Sequence, residues 1–198
     1  MSFIDVFLQK PLICSQCQKK FKPIFHNFYI QGQKGLAIYF YDETIRQYLY
    51  QLKGAFDIEI SSIFLQPFAR FLHYRYRKFL LLPAPSTEAS NQQRGFNHVI
   101  NIFSCLNLPI LPIFLKTAEV KQAGLNYYQR QEIGQHLKII SPEKIRNKNV
   151  LIVDDVKTTG ATIRAMIDLA KAHHAKKISV LVLAETKVNS NKTLNVYD

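Results

Sequence analysis

The chain has 198 residues, 47% of them hydrophobic and 20% charged. That suits one well-buried α/β domain with a small appendage and excludes extensive disorder except at the ends. No apolar run approaches the roughly 18 residues that a membrane span needs, and Met1 to Phe7 carries neither a basic stretch nor a signal-like core, so no span is expected and the cytoplasm is the expected compartment. The formal net charge of +12 favours phosphate-rich partners through steering and counterion release. A basic surface that is merely solvated carries the same charge.

Three cysteines cannot build a full structural disulfide framework, and they suit a reducing compartment. Cys14-Ser-Gln-Cys17 has the spacing of half a zinc site, but a closed site takes four ligands and only His26 lies nearby. Zinc is therefore doubtful, and an unmetallated remnant is the favoured reading. A redox C-x-x-C follows a strand and opens a helix, whereas Lys and Pro surround this one. Cys105 falls in an apolar run expected in the core.

Leu36 to Tyr41 reads as a strand and Glu43 to Lys53 as a helix with Ile45, Leu49 and Leu52 on one face. Asp57 to Tyr76 reads as a second helix, with Ile60, Ile63, Phe64, Phe68, Phe71 and Leu72 inward. Its far end, Arg70 to Lys78, interleaves Arg and Tyr. Arg75, Arg77 and Lys78 are candidate contacts to single-stranded DNA, with phosphates on cations and bases on rings, though such mixtures also cover ordinary helix ends. Phe79 to Leu82 reads as a buried strand stopped by Pro83-Ala-Pro85.

The polar loop Ser86 to Gln93 leads into Arg94-Gly95-Phe96-Asn97-His98. Open α/β sheets bind ligands in such loops, at the carboxyl ends of their strands. Arg94 can grip a pyrophosphate bidentately, and Gly95 allows close approach. Val99 to Leu106 reads as a helix, Ile110 to Leu115 as a Pro-interrupted strand, and Gln122 to Leu137 as a polar, partly helical stretch. Lys148 to Val153 and Lys177 to Glu185 read as strands, followed by a polar tail from Lys187. Strands alternating with helices predict a mostly parallel sheet flanked by helices.

Most of the chemistry is concentrated in Val150 to Thr162, Val-Leu-Ile-Val-Asp-Asp-Val-Lys-Thr-Thr-Gly-Ala-Thr. Four aliphatic residues suit a strand buried on both faces. The acids Asp154 and Asp155 stand where it would end, and Ile163, Met166, Ile167 and Ala170 repeat at the spacing of an amphipathic helix. Between them, the N–H groups of a Gly-containing loop that opens a helix suit a phosphate. Thr158, Thr159 and Thr162 add hydroxyl donors, and Gly160 permits close approach or a positive φ. The acid pair is repelled by phosphate but accepts hydrogen bonds from a vicinal diol, or holds Mg2+ through water. A sugar phosphate satisfies both halves. A Walker B strand would need a Walker A partner, which the chain lacks; a receiver domain would need more residues than follow Asp155; a solvated acidic turn leaves the hydroxyl pattern without a purpose.

These residues resemble the loop with which type I phosphoribosyltransferases bind 5-phosphoribosyl-1-pyrophosphate (PRPP). The resemblance implies that fold, with Asp154 and Asp155 on the ribose 2′ and 3′ hydroxyls and Thr158, Thr159, Gly160, Ala161 and Thr162 around the 5′-phosphate. Further likenesses point to the ComF family, phosphoribosyltransferase-like proteins linked to natural competence and DNA uptake. Arg94 to His98 resembles its Arg-Gly-Phe-Asn-Gln signature, and Gln122, Leu125 and Arg130 resemble its Gln-x-x-Leu-x4-Arg segment. Tyr41 and Lys53 match its positions before the second helix, and the Cys14 and Cys17 pair is similar to one of the two pairs in its N-terminal zinc module.

The resemblance divides the chain into a degenerate zinc-finger-like segment, 1–34, and a phosphoribosyltransferase-like domain, 35–198. It implies PRPP with Mg2+ as ligand, held also by Arg94, Gly95 and Lys53. It further implies catalytic roles for Asp154 and Asp155 if the protein is an active glycosyltransferase of nucleotide metabolism, with single-stranded DNA and other competence proteins as partners. Two alternatives are a non-catalytic PRPP-binding protein that handles single-stranded DNA and a PRPP-sensing regulator, though no helix-turn-helix stands out for the latter. The sequence departs from the family in lacking the second cysteine pair, in Ser90 where a basic residue is usual, in Ile133 for Asn and in His98 for Gln. Thr158 stands where purine-salvage relatives carry an acid that acts as base, so no particular acceptor is implied.

Overall fold

The computed structural model describes residues 14–86, 94–116 and 137–187. Within them a five-stranded sheet runs in the order β1 (His26–Ile30), β2 (Gln33–Phe40), β7 (Lys177–Glu185), β6 (Asn149–Lys157), β3 (Leu80–Pro83). β2, β7, β6 and β3 are mutually parallel, and β1 is an antiparallel edge. A second, two-stranded antiparallel sheet pairs β4 (Phe114–Lys116) with β5 (Leu137–Ile139). The helices are α1 (Ser15–Gln18), α2 (Glu43–Gly54), α3 (Ala69–Tyr76), α4 (His98–Ser104) and α5 (Ala161–Ala172).

The aliphatic strands are continuous runs because both faces of the sheet are covered. Successive side chains point to opposite sides, so Leu151, Val153, Leu181 and Leu183 join the core beneath α2, α3 and α4, where Leu52, Leu72, Ile102 and Phe103 meet them. Val150, Ile152, Val180 and Val182 face Ile163, Met166, Ile167 and Ala170 of α5. Each fully buried aliphatic side chain contributes about 1.5–3 kcal/mol. The apolar stripes expected for α2 and α5 are buried as the spacing requires.

Three local expectations need correction. The helix expected over Asp57 to Tyr76 is broken into two 3-10 segments, Ile58–Ile63 and Gln66–Phe68, before α3 begins. Pro67, which lacks an N–H to continue an α-helix, stands at the second break. The resulting change of phase turns Phe71 outward, 41% exposed, while Phe64 and Leu72 remain fully buried. The strand expected over Ile110 to Leu115 is reduced to one parallel bridge, Ile110 beside Leu81, and to β4 beyond Pro112. Finally, β1 was not foreseen: its hairpin with β2 carries the sheet across the 34/35 position and buries Phe28 and Ile30 in the α5-side core.

Candidate functional site

A difference in strand length creates the pocket. β3 stops pairing at Pro83, opposite Val153, and Ala84 N–H closes the ladder on the Val153 carbonyl at 2.8 Å. β6 continues beside β7 as far as Lys157, opposite Glu185. Asp154 and Asp155, expected at the strand's end, therefore lie inside β6, at the notch where its β3-side neighbour has stopped. A cavity of about 260 Å3 fills this notch, and Lys53, Arg94 and Lys116 line it together with both acids, Ser86 and His98.

Asp155 is 7% exposed, and partners occupy both of its oxygens. Oδ1 accepts the Val156 N–H at 2.7 Å, while Oδ2 receives His98 Nε2 at 3.2 Å and pairs with the Lys53 ammonium. Burial alone would raise its pKa, but the His98 hydrogen bond and the Lys53 charge outweigh burial and hold it far below the usual carboxylate range. Asp154 has the opposite balance. Burial pushes its carboxyl well up, and the neighbouring Asp155 charge pushes it further. His98 is held below the usual imidazole range by burial, against the pull of Asp155. The neutral ring then donates from Nε2 to Asp155 and leaves Nδ1 to accept from Ser86 Oγ at 3.4 Å. Burial likewise lowers Arg94, while the charge of Asp155 opposes that shift.

The loop after β6 has the backbone that its sequence suggests. Gly160 takes φ +75° immediately before α5, and a Cβ there would meet the Ile30 side chain at 2.9 Å. A side chain would therefore be both strained and crowded. Thr158 and Thr159 are exposed, Thr162 is half-buried, and Thr159 Oγ1 accepts the Ala161 N–H at 3.4 Å. Below the loop, Lys157 Nζ pairs with buried Glu185 at 3.0 Å, and His26 Nδ1 bonds the other Glu185 oxygen. This ties the base of the loop to the end of β7 and to the edge strand.

Of the residues singled out from sequence, Asp154, Asp155, Arg94 and Lys53 meet in one pocket. Gly95, at φ +75°, and the stretch from Thr158 to Thr162 flank it in sequence without lining it. Arg75, Arg77 and Lys78 lie at and beyond the end of α3, next to the start of β3, and none of them lines the pocket. Ser90, Gln122, Leu125, Arg130 and Ile133 fall outside the described residues. His98, Ser86 and Lys116 were missed as site residues. For His98 a signal existed: Asn97 accepts from Val99 N–H and Ile100 N–H, which caps α4 and aims its first residue into the notch. Cys14 caps the short α1, where the Cys17 N–H lowers its pKa, and His26 is engaged with Glu185.

A family model for the phosphoribosyl transferase domain matches residues 117–195. The chain is similar to competence protein ComFC of Bacillus subtilis (strain 168), at 23% identity over 151 residues, which is 73% of this chain and 62% of that protein. It therefore spans less than two thirds of that relative's length. Competence protein ComFC of Streptococcus pneumoniae (strain ATCC BAA-255 / R6) is 25% identical over 154 residues, covering 77% of this chain and 68% of the relative. Among solved structures, a hypoxanthine phosphoribosyltransferase from Staphylococcus aureus superposes with a TM-score of 0.42 at 16% identity, covering 67% of this chain and 69% of the other. A hypoxanthine-guanine phosphoribosyltransferase from Bacillus anthracis gives 0.46 at 14% identity, covering 66% and 72%.

Proposed function

Because the chain belongs to the ComF family of phosphoribosyltransferase-like proteins, we propose that the pocket beside β6 binds PRPP together with Mg2+. The mostly parallel sheet with flanking helices is the type I phosphoribosyltransferase fold. One observation carries the reading: two carboxylates and the cations Lys53, Arg94 and Lys116 line the same notch, and only two strand residues, Val156 and Lys157, separate Asp155 from the turn that opens α5. A ligand with a diol at one end and phosphates on both sides satisfies that combination, whereas a simple anion does not use the acids.

In this arrangement Asp154 and Asp155 accept from the ribose hydroxyls, the N–H groups and hydroxyls of Thr158 to Thr162 receive the 5′-phosphate, and Arg94 and Lys53 face the pyrophosphate. Among the described residues no group of three or more His, Cys, Asp and Glu side chains could hold a metal. The donor set thus suits a divalent ion that arrives on the pyrophosphate rather than one caged by protein. When bound, Mg2+ supplies charge neutralisation on the leaving pyrophosphate. Lys53 is the side chain best placed to change partners, since it is paired with Asp155 at the mouth of the same cavity.

As a transferase, the protein would form a bond from a nitrogen nucleophile to C1 while the C1–O bond to pyrophosphate breaks, with catalysis resting on positioning and charge. The competence designation of the relatives supports a role in competence, and DNA uptake is the step we assign to it. Competition separates the halves of the ligand. Ribose 5-phosphate and pyrophosphate are each expected to displace PRPP, weakly and independently. Displacement by pyrophosphate alone would mean that the site holds an anion and not a sugar. Pyrophosphate release with candidate amine and base acceptors distinguishes turnover from binding.

A further inference from the structure

A cavity of about 670 Å3 opens at the amino-terminal ends of β2 and β7, the end of the sheet opposite the acid pocket. Lys34, Arg75 and Lys177 line it beside the rings of Tyr29, Tyr76 and Phe79, and no lining residue is acidic. Gly35 lies in the floor, and the Phe28 ring packs against it from the α5 side of the sheet, where any Cβ on Gly35 would collide with it. Cations and rings are already in register: the Arg75 guanidinium is 5.6 Å from the Tyr76 centroid, and Lys177 Nζ is 5.6 Å from the Phe79 centroid. Tyr29 is 70% exposed, so one ring face is open to a ligand.

The cationic rim continues beyond the cavity. Lys78 is placed by its carbonyl, which accepts from Asn149 Nδ2 at 3.4 Å, and Asn149 is the partner of Lys177 in the sheet. Lys176 N–H donates to the Lys148 carbonyl at 2.8 Å, which brings two more ammonium groups to the same edge. Lys34, Arg75, Lys78, Lys148, Lys176 and Lys177 are all exposed. None pairs with a carboxylate among the described residues. Ser179 and Asn27 add neutral polar groups to the lining.

We propose that this cavity is a second ligand site that takes a nucleotide unit, with its phosphate on Lys34, Arg75 and Lys177 and its base against the open ring of Tyr29. The volume lies within the range of small-ligand pockets. Cations alone would serve any anion, and rings alone any apolar group; the two together select a planar base carrying phosphate. The unit could be a free mononucleotide or one residue of a single strand, and the same chemistry recognises both. The site stands apart from the PRPP reading, because the two cavities share no residue.

The test is fluorescence anisotropy of a labelled oligothymidylate with the full chain, with thymidine monophosphate as displacer in a second arm. The strand is expected to bind with an affinity that falls steeply with salt. Lys34→Ser/Arg75→Ser/Lys177→Ser is expected to weaken it at least tenfold and to flatten the salt slope, and Tyr29→Ala to weaken it about fivefold or more with the slope unchanged. Displacement by the monophosphate assigns the site to free nucleotides, and its failure to displace assigns the site to strands. Wild-type affinity in either variant would overturn the proposal, as would stoichiometric displacement of the strand by PRPP, which would place the strand in the acid pocket. Thermal unfolding of both variants, expected to match wild type, shows that the loss is not one of fold.

Discussion

Asp155 at neutral pH is a carboxylate held by Lys53 and His98, while its neighbour Asp154, half-buried beside that charge, resists ionising. Their effects on stability therefore have opposite signs. A depressed pKa, as at Asp155, contributes stability that is present above the unfolded value, roughly 3.9, and is lost as pH falls toward the folded one. His98 adds to the loss on the acid side, because its buried neutral form is favoured and the unfolded chain takes up a proton below about 6.5. For Asp154, with its pKa raised, the contribution is full below roughly 3.9 and is lost as pH rises through the folded value. Asp154→Asn is thus expected to raise the midpoint of thermal unfolding at pH 7 by about 2–4 °C, for a gain on the order of 1 kcal/mol. Asp155→Asn is expected to lower stability by roughly 1–3 kcal/mol, less than a fully buried pair would cost because Lys53 is partly solvated. Equal effects of the two substitutions would contradict the split.

At the scale of elements, the notch exists because β6 outruns β3 and because α5 opens on a left-handed glycine. Gly160→Ala is expected to cost about 1–2 kcal/mol, since the residue would hold φ +75° with a Cβ against Ile30. It is also expected to weaken PRPP binding by more than any change at Thr159, which is exposed and accepts the Ala161 N–H. Differential scanning calorimetry with and without PRPP measures both effects. Strands buried on two faces, such as β7, were legible in the sequence because every residue from Ile178 to Glu185 is buried and all but Ser179 and Glu185 are apolar. β1 was not, since an edge strand reading His-Asn-Phe-Tyr-Ile turns only Phe28 and Ile30 inward. The second helix failed at Pro67 for the opposite reason: its apolar periodicity was strong enough to mask a residue that cannot continue a helix. In the site, the acids and Arg94 were legible from the chemistry of their residue types. His98 was signalled only by the Asn97 cap before it, and Lys116 not at all, because the fold alone brings α4 and β4 to the end of β6.

Across the whole molecule, the formal charge of +12 is not spread evenly in role. At the carboxyl ends of the strands, cations sit against acids in the notch beside β6; at the amino ends, they stand unopposed by carboxylates beside the exposed ring of Tyr29. The buried Glu185 links the edges, pairing with His26 of β1 and Lys157 of β6 from the end of β7. The central claim is that the notch beside β6 is a PRPP site, and its most direct measurement is calorimetric titration of PRPP with Mg2+ into the wild type and into Asp154→Asn/Asp155→Asn. Binding at one site per chain is expected for the wild type, reduced at least tenfold in the double variant while the sheet remains folded. Equal affinity in the two proteins, or no heat in either, would contradict it.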